Sequence, residues 1–314
     1  MALRLVFMGT ANLSCTILQT LVDSEDFDVA AVVTQPDRPK GRQLRLQSSP
    51  VKDLALKLKL PLLQPERARN EDFLKQLKGI GPDLMAVAAY GQILPQTILE
   101  LPRFGCLNVH TSLLPKYRGA APIQWAILND EPRTGVTIMK MDAGLDTGPI
   151  LSEAQTDIGS QDTSETLHER LAQMGADLLR QTIPDYVAGR IQPHAQPTEG
   201  GTYAPRIKKE DGHLDWTQPA RALWNRVRGL VPWPGAFTFL PSAPTSQLLK
   251  LWQAEPADGS GIPGTVLQAD RSGIVIACGQ NALRVLVVQK EGGRRLSVSD
   301  FLAGHSLKPG QKLG

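Results

Sequence analysis

The sequence of 314 residues lacks the features that mark several large classes of protein. Its 3 cysteines, Cys15, Cys106 and Cys278, follow no disulfide or metal-binding spacing, which is typical of a reducing compartment. Its apolar runs are far shorter than the roughly 18 residues of a membrane-spanning helix. The short apolar start of the chain is typical of a strand rather than of an export signal. We therefore expect a cytoplasmic protein without a membrane segment.

Nucleotide-binding loops and metal-ligand patterns are missing as well. The turn after the first apolar run, residues 9–13, lacks the second and third glycines of the G-x-G-x-x-G motif, and the sequence has no Gly-Lys-Ser/Thr loop. His168, His213 and His305 have no partners at the spacing of a metal site. The sequence thus predicts neither a bound dinucleotide or nucleoside triphosphate nor a metal ion.

Excess charge and aromatic residues are also scarce. The 34 Lys and Arg against 31 Asp and Glu leave a formal net charge of +3, and aromatic residues make up 5% of the chain. The charge is uneven, because residues 207–314 carry 13 basic and 8 acidic residues, which leaves a net −2 for residues 1–206. A basic C-terminal part favours a polyanionic partner, although solvated surface charge is the simpler explanation. Four tryptophans of this part are expected to pack rather than to stack on bases: Trp216, Trp224, Trp233 and Trp252.

The first 150 residues alternate short apolar runs with segments of helical period. Because strands buried on both faces carry no polar alternation, this pattern predicts an α/β fold with a doubly wound, mostly parallel Rossmann-like sheet. The predicted strands span residues 3–8, 28–34, 84–89, 106–110 and 135–140. The predicted helices span residues 17–22, 50–58, 70–78, 123–129 and 163–187.

A polar segment rich in Gly and Pro, residues 188–205, separates this pattern from a different one. The following hundred residues contain five short β-like runs between turn residues and one helix at 219–228, which predicts a small β-barrel of the OB type. These runs span residues 236–240, 248–254, 264–269, 273–277 and 282–288. We expect a first domain over residues 1–188, a linker over 189–207 and a C-terminal domain over 208–314.

Polar residues gather where two of the predicted strands end. Asn108 and His110 lie two residues apart on one strand, so their side chains share a face with Cα atoms about 6.5–7 Å apart. An amide and an imidazole at this spacing could bind one ligand oxygen, or a backbone carbonyl could satisfy His110. The next strand leads into residues 141–148, where Asp142 and Asp146 are both candidates for a carboxylate at the same edge, and either could instead cap a turn.

These residues resemble the folate-dependent formyltransferases. The resemblance rests on Asn108-x-His110, on the Ser-Leu-Leu-Pro turn at 112–115, and on Asp146 in an Asp-Ala-Gly-Leu-Asp-Thr-Gly loop. It runs from residue 3 to about residue 302, and Ala11-Asn12 depart from it where the family commonly has a proline. Further matches resemble the members of the family that act on charged initiator tRNA: residues 34–42, 49–52, 203–216 and 231–236.

The resemblance implies the formyltransferase fold and the reaction that goes with it. A formyl group moves from 10-formyltetrahydrofolate to the α-amine of methionine on initiator tRNA. The attacking amine belongs to the substrate, so no Ser or Cys nucleophile is required. In this reaction Asn108 and protonated His110 are expected to stabilise the tetrahedral oxyanion. Asp146 is expected to orient His110 and to stabilise its charged form.

The resemblance also implies binding residues for both substrates. The folate site is expected at Ser112, Leu113, Leu114, Pro115, Tyr90, Gln92 and Leu94, and a simple loop of Gly and Pro is the alternative for residues 90–95. The acceptor stem of the tRNA is expected at Arg38, Lys40, Arg42, Arg45, Lys208 and Lys209. Four of these cations lie in the connection of residues 35–49, which we expect to lack regular structure and which is long enough to suggest a function. Ordinary exposed side chains are the alternative for all six.

Three other functions share parts of this pattern. A formyltransferase acting on a UDP-linked amino sugar has the same Asn-x-His and Asp motifs, but the basic loop and residues 207–216 favour tRNA. A noncatalytic RNA-binding protein would have no reason to keep Asn108, His110 and Asp146 together. The short glycinamide ribonucleotide formyltransferases lack a C-terminal domain and carry a phosphate loop that is absent here. No obligate protein partner is expected.

Overall fold

The computed structural model describes residues 2–40, 45–241 and 247–314. They form two compact units that alternate along the chain. The first unit comprises Met1–Gly119, Thr134–Thr156 and His168–Ala204, and the second comprises Ala120–Arg133, Asp157–Leu167 and Pro205–Gly314. The predicted domain limits at residues 188 and 208 stay a prediction.

The strands and helices of the described residues are numbered in chain order. The strands are β1 (Leu3–Gly9), β2 (Phe27–Val33), β3 (Arg38–Lys40), β4 (Arg45–Gln47), β5 (Leu62–Leu63), β6 (Leu84–Ala88), β7 (Cys106–His110), β8 (Arg118–Gly119), β9 (Arg133–Lys140), β10 (Ile150–Asp157), β11 (Tyr203–Ala204), β12 (Ala236–Leu240), β13 (Gln247–Ala257), β14 (Val266–Asp270), β15 (Gly273–Ala277), β16 (Ala282–Lys290) and β17 (Leu296–Ser297). The helices are α1 (Asn12–Val22), α2 (Pro50–Lys57), α3 (Glu71–Ile80), α4 (Gln96–Leu99), α5 (Pro122–Leu128), α6 (Ser164–Val187), α7 (Ala220–Gly229) and α8 (Val298–Gly304), with a 3₁₀ helix at Lys209–Gly212.

The first unit is built on a sheet with the strand order β10-β9-β7-β6-β1-β2-β5. Strand β1 pairs in parallel with β2 and β6, and β6 pairs in parallel with β7, whereas β7 and β9 are antiparallel. Every residue of β6 is buried, as its unbroken apolar run predicts. The prediction of a mostly parallel Rossmann-like sheet is therefore confirmed, and the carboxyl ends of β6 and β7 lie at one edge of it.

The turn between β1 and α1 requires a glycine. A Cβ atom on Gly9 would lie 2.6 Å from the Cβ of Ser14, because α1 packs directly against the end of β1. The hydroxyl of Ser14 donates to the carbonyl of Ala88 at the end of β6, at 2.6 Å. Gly9 therefore serves a close approach of helix and sheet.

Several elements of the first unit differ from the sequence expectation, among them the connection 35–49 and strand β10. The connection 35–49 is not wholly irregular, since β3 and β4 form a short antiparallel pair in which Lys40 is opposite Arg45. Strand β10 was not expected, because six of its eight residues alternate between half-buried and exposed positions and its sequence has no continuous apolar run. It forms an edge of the sheet, where polar outward-facing residues are tolerated.

The second unit contains an antiparallel sheet with the order β12-β13-β16-β15-β14, and β17 pairs with β16. All five C-terminal runs and the helix expected at 219–228 are present as strands and as α7. The buried side chains of Trp216 and Trp224 form part of the core. The antiparallel C-terminal sheet is thus confirmed, and its closure into an OB-type barrel stays a prediction.

Candidate active site

Strand β7 carries the first two candidate residues in the interior of the sheet. It lies between β6 and β9, with Asn108 opposite Met139 and His110 opposite Thr137 of β9. Asn108 is half-buried and His110 is 5% exposed. His110 is the last residue of the strand and Asn108 lies two residues before it, close to the edge where open α/β sheets bind their ligands.

The ring of His110 has a different neighbour at each nitrogen. Its Nε2 lies 2.9 Å from the backbone carbonyl of Tyr117, and a carbonyl can only accept, so Nε2 carries a hydrogen. Its Nδ1 lies 3.7 Å from Oδ2 of Asp146. That separation is longer than a hydrogen bond, so Nδ1 and the carboxylate are not hydrogen-bonded to each other. The backbone contact that was an alternative for His110 therefore coexists with the approach of a carboxylate.

The side chain of Asp146 is held by a backbone hydrogen bond. Its Oδ2 accepts a hydrogen bond from the backbone nitrogen of Gly119 at 2.8 Å, and the side chain is 14% exposed. The residue has a φ of 52°, a left-handed conformation that aspartate adopts more readily than most residues. The loop thus turns this carboxylate inward to His110.

The other aspartate of the loop, Asp142, caps a turn. The carboxylate of Asp142 accepts hydrogen bonds from the backbone nitrogen of Gly144 at 3.1 Å and from the hydroxyl of Thr147 at 2.8 Å. This is a side-chain cap of a turn, and Asp142 is exposed. Of the two candidates left open by the sequence, the structure brings only Asp146 to His110.

The turn after β7 is fixed by hydroxyl groups. The hydroxyl of Thr137 donates a hydrogen bond to the carbonyl of Ser112 at 2.8 Å and accepts one from the backbone nitrogen of Leu114 at 3.1 Å. The hydroxyl of Ser112 donates to the carbonyl of Lys116 at 2.6 Å. Ser112 and Leu114 are buried, and the remaining expected folate residues of the turn are half-buried: Leu113 and Pro115.

The other expected folate residues follow β6. Tyr90 and Leu94 are 2% and 4% exposed and belong to the core of the first unit. Burial raises the pKa of Tyr90 to about 12, and its hydroxyl has no partner among the described residues. The amide oxygen of Gln92 accepts the nitrogen of Ala68 at 2.8 Å. The side chains of Tyr90 and Leu94 thus face inward, and a folate role for these three residues stays a prediction.

A cavity of about 470 Å³ opens beside the Asp146 loop. The guanidinium of Arg118 lines it and donates from Nε and Nη2 to Oε1 of Gln196 at 3.1 and 2.6 Å. Neither residue stands out in the sequence, because a hydrogen bond between positions 78 residues apart leaves no periodic signal. The full lining consists of Arg118, Thr147, Pro149, Ala195, Gln196, Pro197 and Thr198.

Two protein families match the chain in sequence. The family described as formyl transferase matches residues 3–183, and the formyl transferase C-terminal domain matches residues 206–306. The methionyl-tRNA formyltransferase of Citrifermentans bemidjiense is 47% identical over 312 residues, which cover 99% of this chain and 96% of the relative. The chain belongs to the methionyl-tRNA formyltransferase family. The formyltransferase of that name from Myxococcus xanthus is 48% identical over 309 residues, 98% of this chain and 97% of the relative.

Solved structures share the fold at low sequence identity. HypX from Aquifex aeolicus in complex with tetrahydrofolic acid is 17% identical with a TM-score of 0.66, and the match covers 98% of this chain and 49% of that one. This formyltransferase thus spans about half the length of HypX. WlaRD, a sugar 3N-formyl transferase, is 20% identical with a TM-score of 0.66, over 92% of this chain and 98% of that one.

The basic residues expected to bind tRNA in the first unit of the formyltransferase are only partly described. The exposed guanidinium of Arg38 pairs with Glu66 at 3.3 Å. Arg42 lies outside the described residues, and Lys40 and Arg45 are described by their backbone alone. Asp37 is bonded to Lys52 at 2.7 Å, and the hydrogen bonds from Lys52 and Gln64 lower the pKa of its carboxyl. The acid of this connection is thereby engaged with a lysine of α2.

A second basic cluster lies in the C-terminal unit of the formyltransferase. Lys208 and Lys209, which the sequence singled out, are exposed at the start of the 3₁₀ helix. Arg295 lies over the ring of Trp252 with Cζ 3.3 Å from the centroid, and Nζ of Lys250 is 5.7 Å from the same centroid. Burial, followed by the charges of Lys209 and Arg295, lowers the pKa of Lys250.

The sequence missed Lys250 and Arg295 because they lie on separate segments that only the sheet brings together. Trp233 also differs from its expectation of a packed residue, since 55% of its surface is exposed.

The cysteines of the formyltransferase are not candidates for catalysis. All 3 are free, and burial raises the pKa of Cys106 to about 12 and that of Cys278 to about 11. Burial also raises the pKa of the half-buried Cys15. Such thiols stay protonated near neutral pH and are poor nucleophiles. The described residues contain no group of His, Cys, Asp and Glu that could hold a metal ion, and their helices include none long and apolar enough to cross a membrane.

Proposed function

We propose that the chain transfers the formyl group of 10-formyltetrahydrofolate to the α-amine of methionyl-initiator tRNA, producing N-formylmethionyl-tRNA for translation initiation. The observation that carries the proposal is the approach of Asp146 to Nδ1 of His110, with Asn108 two residues before His110 on the same strand. The relatives that bear the name methionyl-tRNA formyltransferase at 47% identity support this substrate pair.

The reaction forms one C–N bond and breaks another. The substrate amine attacks the formyl carbon and makes a tetrahedral intermediate with a negative oxygen. When the intermediate collapses, the bond from the formyl carbon to N10 of tetrahydrofolate breaks. The amine loses one proton and N10 gains one, so the reaction requires no redox partner. The protein must supply donors for the negative oxygen and a path for the proton.

Asn108 and His110 supply the donors in this proposal. The amide of Asn108 and a protonated Nδ1 of His110 donate to the oxygen of the intermediate, while Nε2 stays bonded to the carbonyl of Tyr117. Because the distance of 3.7 Å between Nδ1 and the carboxylate is longer than a hydrogen bond, this N–H can donate to the oxygen of the intermediate.

Asp146 compensates the imidazolium charge and accepts the proton of the amine, directly or through one water. Proton transfer of this kind contributes about 10²–10⁴ in rate.

Folate binds, in this proposal, along the edge formed by the turn at 112–115 and the segment at 90–94. The half-buried Leu113 and Pro115 supply apolar contact for the pterin. Backbone groups near Tyr90 and Gln92 supply polar contact, because Tyr90 and Leu94 pack their side chains into the core. The hydroxyl of Thr137 keeps this turn rigid.

The acceptor stem of the tRNA contacts the basic connection at Arg38, Lys40, Arg42 and Arg45. In the C-terminal unit, Lys208, Lys209, Lys250 and Arg295 bind tRNA phosphates. The approach of Lys250 and Arg295 to the same ring of Trp252 supports this assignment, because two neighbouring cations that repel one another gain when a phosphate lies between them. We expect Arg42→Ala to weaken tRNA binding and to lower the slope of log K against log salt by about 1.

One assay separates the candidate acceptors. Formyl transfer from 10-formyltetrahydrofolate is measured side by side with methionyl-initiator tRNA, methionyl-elongator tRNA and a UDP-linked amino sugar. We expect rapid transfer to the initiator tRNA alone. Transfer to the sugar in place of tRNA would overturn the proposal in favour of a sugar formyltransferase. Tight tRNA binding without transfer to any acceptor would favour a noncatalytic RNA-binding protein.

A further inference from the structure

The segment between α6 and β11 was predicted as a linker, but it is bonded to the surroundings of His110. The hydroxyl of Thr202 in this segment accepts a hydrogen bond from the backbone nitrogen of Tyr117 at 2.8 Å. The carbonyl of Thr202 accepts a hydrogen bond from the backbone nitrogen of Arg118 at 2.9 Å. Tyr117 is the residue whose carbonyl binds Nε2 of His110. The segment therefore helps to fix one of the two groups that face the imidazole.

The other group that faces the imidazole, Asp146, is bonded to the same segment through Gln196. The amide nitrogen of Gln196 donates to the carbonyl of Asp146 and to the carbonyl of Gly148, each at 2.8 Å. Its amide oxygen accepts both donors of Arg118. Two carbonyls on one side and a guanidinium on the other allow only one orientation of the amide. Gln196 thus uses both its donor hydrogens on the Asp146 loop.

These contacts form a closed ring around Asp146. Arg118 directly precedes Gly119, whose backbone nitrogen donates to the carboxylate of Asp146 at 2.8 Å. Gln196 then joins Arg118 back to the carbonyl of Asp146. The left-handed backbone of Asp146 costs free energy and persists only where its surroundings hold it. The ring holds the backbone of Asp146 at its carbonyl and the side chain at its carboxylate.

We propose that Gln196 is a positioning residue for Asp146. By bonding the carbonyls of Asp146 and Gly148 it keeps the loop in the conformation that points the carboxylate at Nδ1 of His110. It touches no reacting atom and acts only through Asp146. The inference rests on the proposed function for its effect on turnover, but its effect on the carboxylate does not depend on any substrate.

Two variants divide the contacts of Gln196. Gln196→Ala removes all of them. Gln196→Glu keeps the shape and can still accept from Arg118, but it cannot donate to the carbonyls of Asp146 and Gly148. We expect both to lower kcat by about 10–100-fold, as a misplaced catalytic group does, while KM for 10-formyltetrahydrofolate stays near the wild-type value. Gln192→Ala is the matched control, because the exposed Gln192 of the same segment bonds the nearby carbonyl of Gly189 and, among the described residues, no group of the Asp146 loop.

A double-mutant cycle shows whether Gln196 acts through Asp146. In single-turnover measurements, Gln196→Ala should cost little further rate in a chain that already carries Asp146→Asn, because the group it positions is gone. Multiplicative losses would overturn the inference, as would near-normal kcat in both the Ala and the Glu variants.

A substrate-free measurement separates this inference from the proposed function. The amide resonance of Gly119 reports the hydrogen bond to the Asp146 carboxylate. We expect Gln196→Ala and Gln196→Glu to shift it toward its position in Asp146→Asn, and Gln192→Ala to leave it in place. An unchanged Gly119 resonance in both Gln196 variants would overturn the inference. A wild-type chain that formylates no tRNA would overturn the proposed function alone.

Discussion

The hydroxyl of Thr137 on strand β9 bonds both to the carbonyl of Ser112, at 2.8 Å, and to the nitrogen of Leu114, at 3.1 Å. A single fully buried side chain therefore fixes both ends of the turn that follows His110. We expect Thr137→Val to lower the free energy of unfolding by about 2 kcal/mol, because it leaves two buried backbone groups without partners. Urea unfolding measures the change. Thr137→Ser keeps the hydroxyl and is the control, and equal losses in the two variants would contradict the argument.

Tyr90 carries a buried hydroxyl that has no partner among the described residues. Replacing Tyr90 with Phe removes a polar group that loses its hydration on folding and gains nothing in return. We expect the free energy of unfolding to stay unchanged or to rise by about 1 kcal/mol. A clear decrease in urea unfolding would mean that the hydroxyl is bonded in solution.

The Asp130 carboxylate makes the stability of the second unit depend on pH. Arg221 donates to it from Nε and Nη2, and these bonds, with that from Asn225, lower the pKa of Asp130. A lowered pKa in the folded chain stabilises the fold above the unfolded value of about 4. That stabilisation is lost as the pH falls through the folded value.

We therefore expect the wild type to exceed Asp130→Asn in unfolding free energy by a constant amount from about pH 5 to 8. The difference should shrink steadily below about pH 4. Asp258→Asn, at an exposed site of the same unit, is the control. A difference between wild type and Asp130→Asn that does not depend on pH would contradict the assignment.

The two aspartates of the 141–148 loop should differ sharply in their effect on catalysis. Asp146→Asn removes the charge that faces His110, and we expect the rate of formyl transfer to fall by about 10²–10⁴ with folding preserved. Asp142→Asn changes only the exposed cap of the same loop and should leave the rate within about threefold of wild type, a loss of under 1 kcal/mol. Similar losses in the two variants would remove Asp146 from its proposed role.

The basic cluster around Trp252 should contribute to tRNA binding through charge. We expect Lys250→Ala to weaken the binding of initiator tRNA and to lower the slope of log K against log salt by about 1. Lys308→Ala, an exposed lysine of the same unit, should leave the slope unchanged. Fluorescence anisotropy at several salt concentrations measures both variants. Equal slopes for Lys250→Ala and wild type would exclude a phosphate contact at Lys250.

The sequence predicted those features that depend on local pattern. The apolar runs of β6 and β7 and the helical period of α6 identify these elements, and the residue spacing on β7 places Asn108 and His110 on one face. Strand β10 was not predicted, because its alternating polar residues resemble a loop. The choice between Asp142 and Asp146 depends on turn geometry that composition does not encode. The role of Gln196 was not predicted, because its hydrogen-bond partners are distant in sequence. A polar segment without hydrophobic periodicity is also typical of a linker.

The alternation of the two packing units along the chain limits how the molecule can be divided. Helix α5, from the middle of the first family match, packs in the second unit, where Ala121, Ile207 and Leu230 share one apolar cluster. A fragment ending at residue 188 would carry Ala121 without the other two and expose an apolar surface to water. We therefore expect separately expressed halves to aggregate or to require coexpression. The shared cluster of Ala121, Ile207 and Leu230, rather than the main core of either unit, is therefore the part that such a division would leave incomplete.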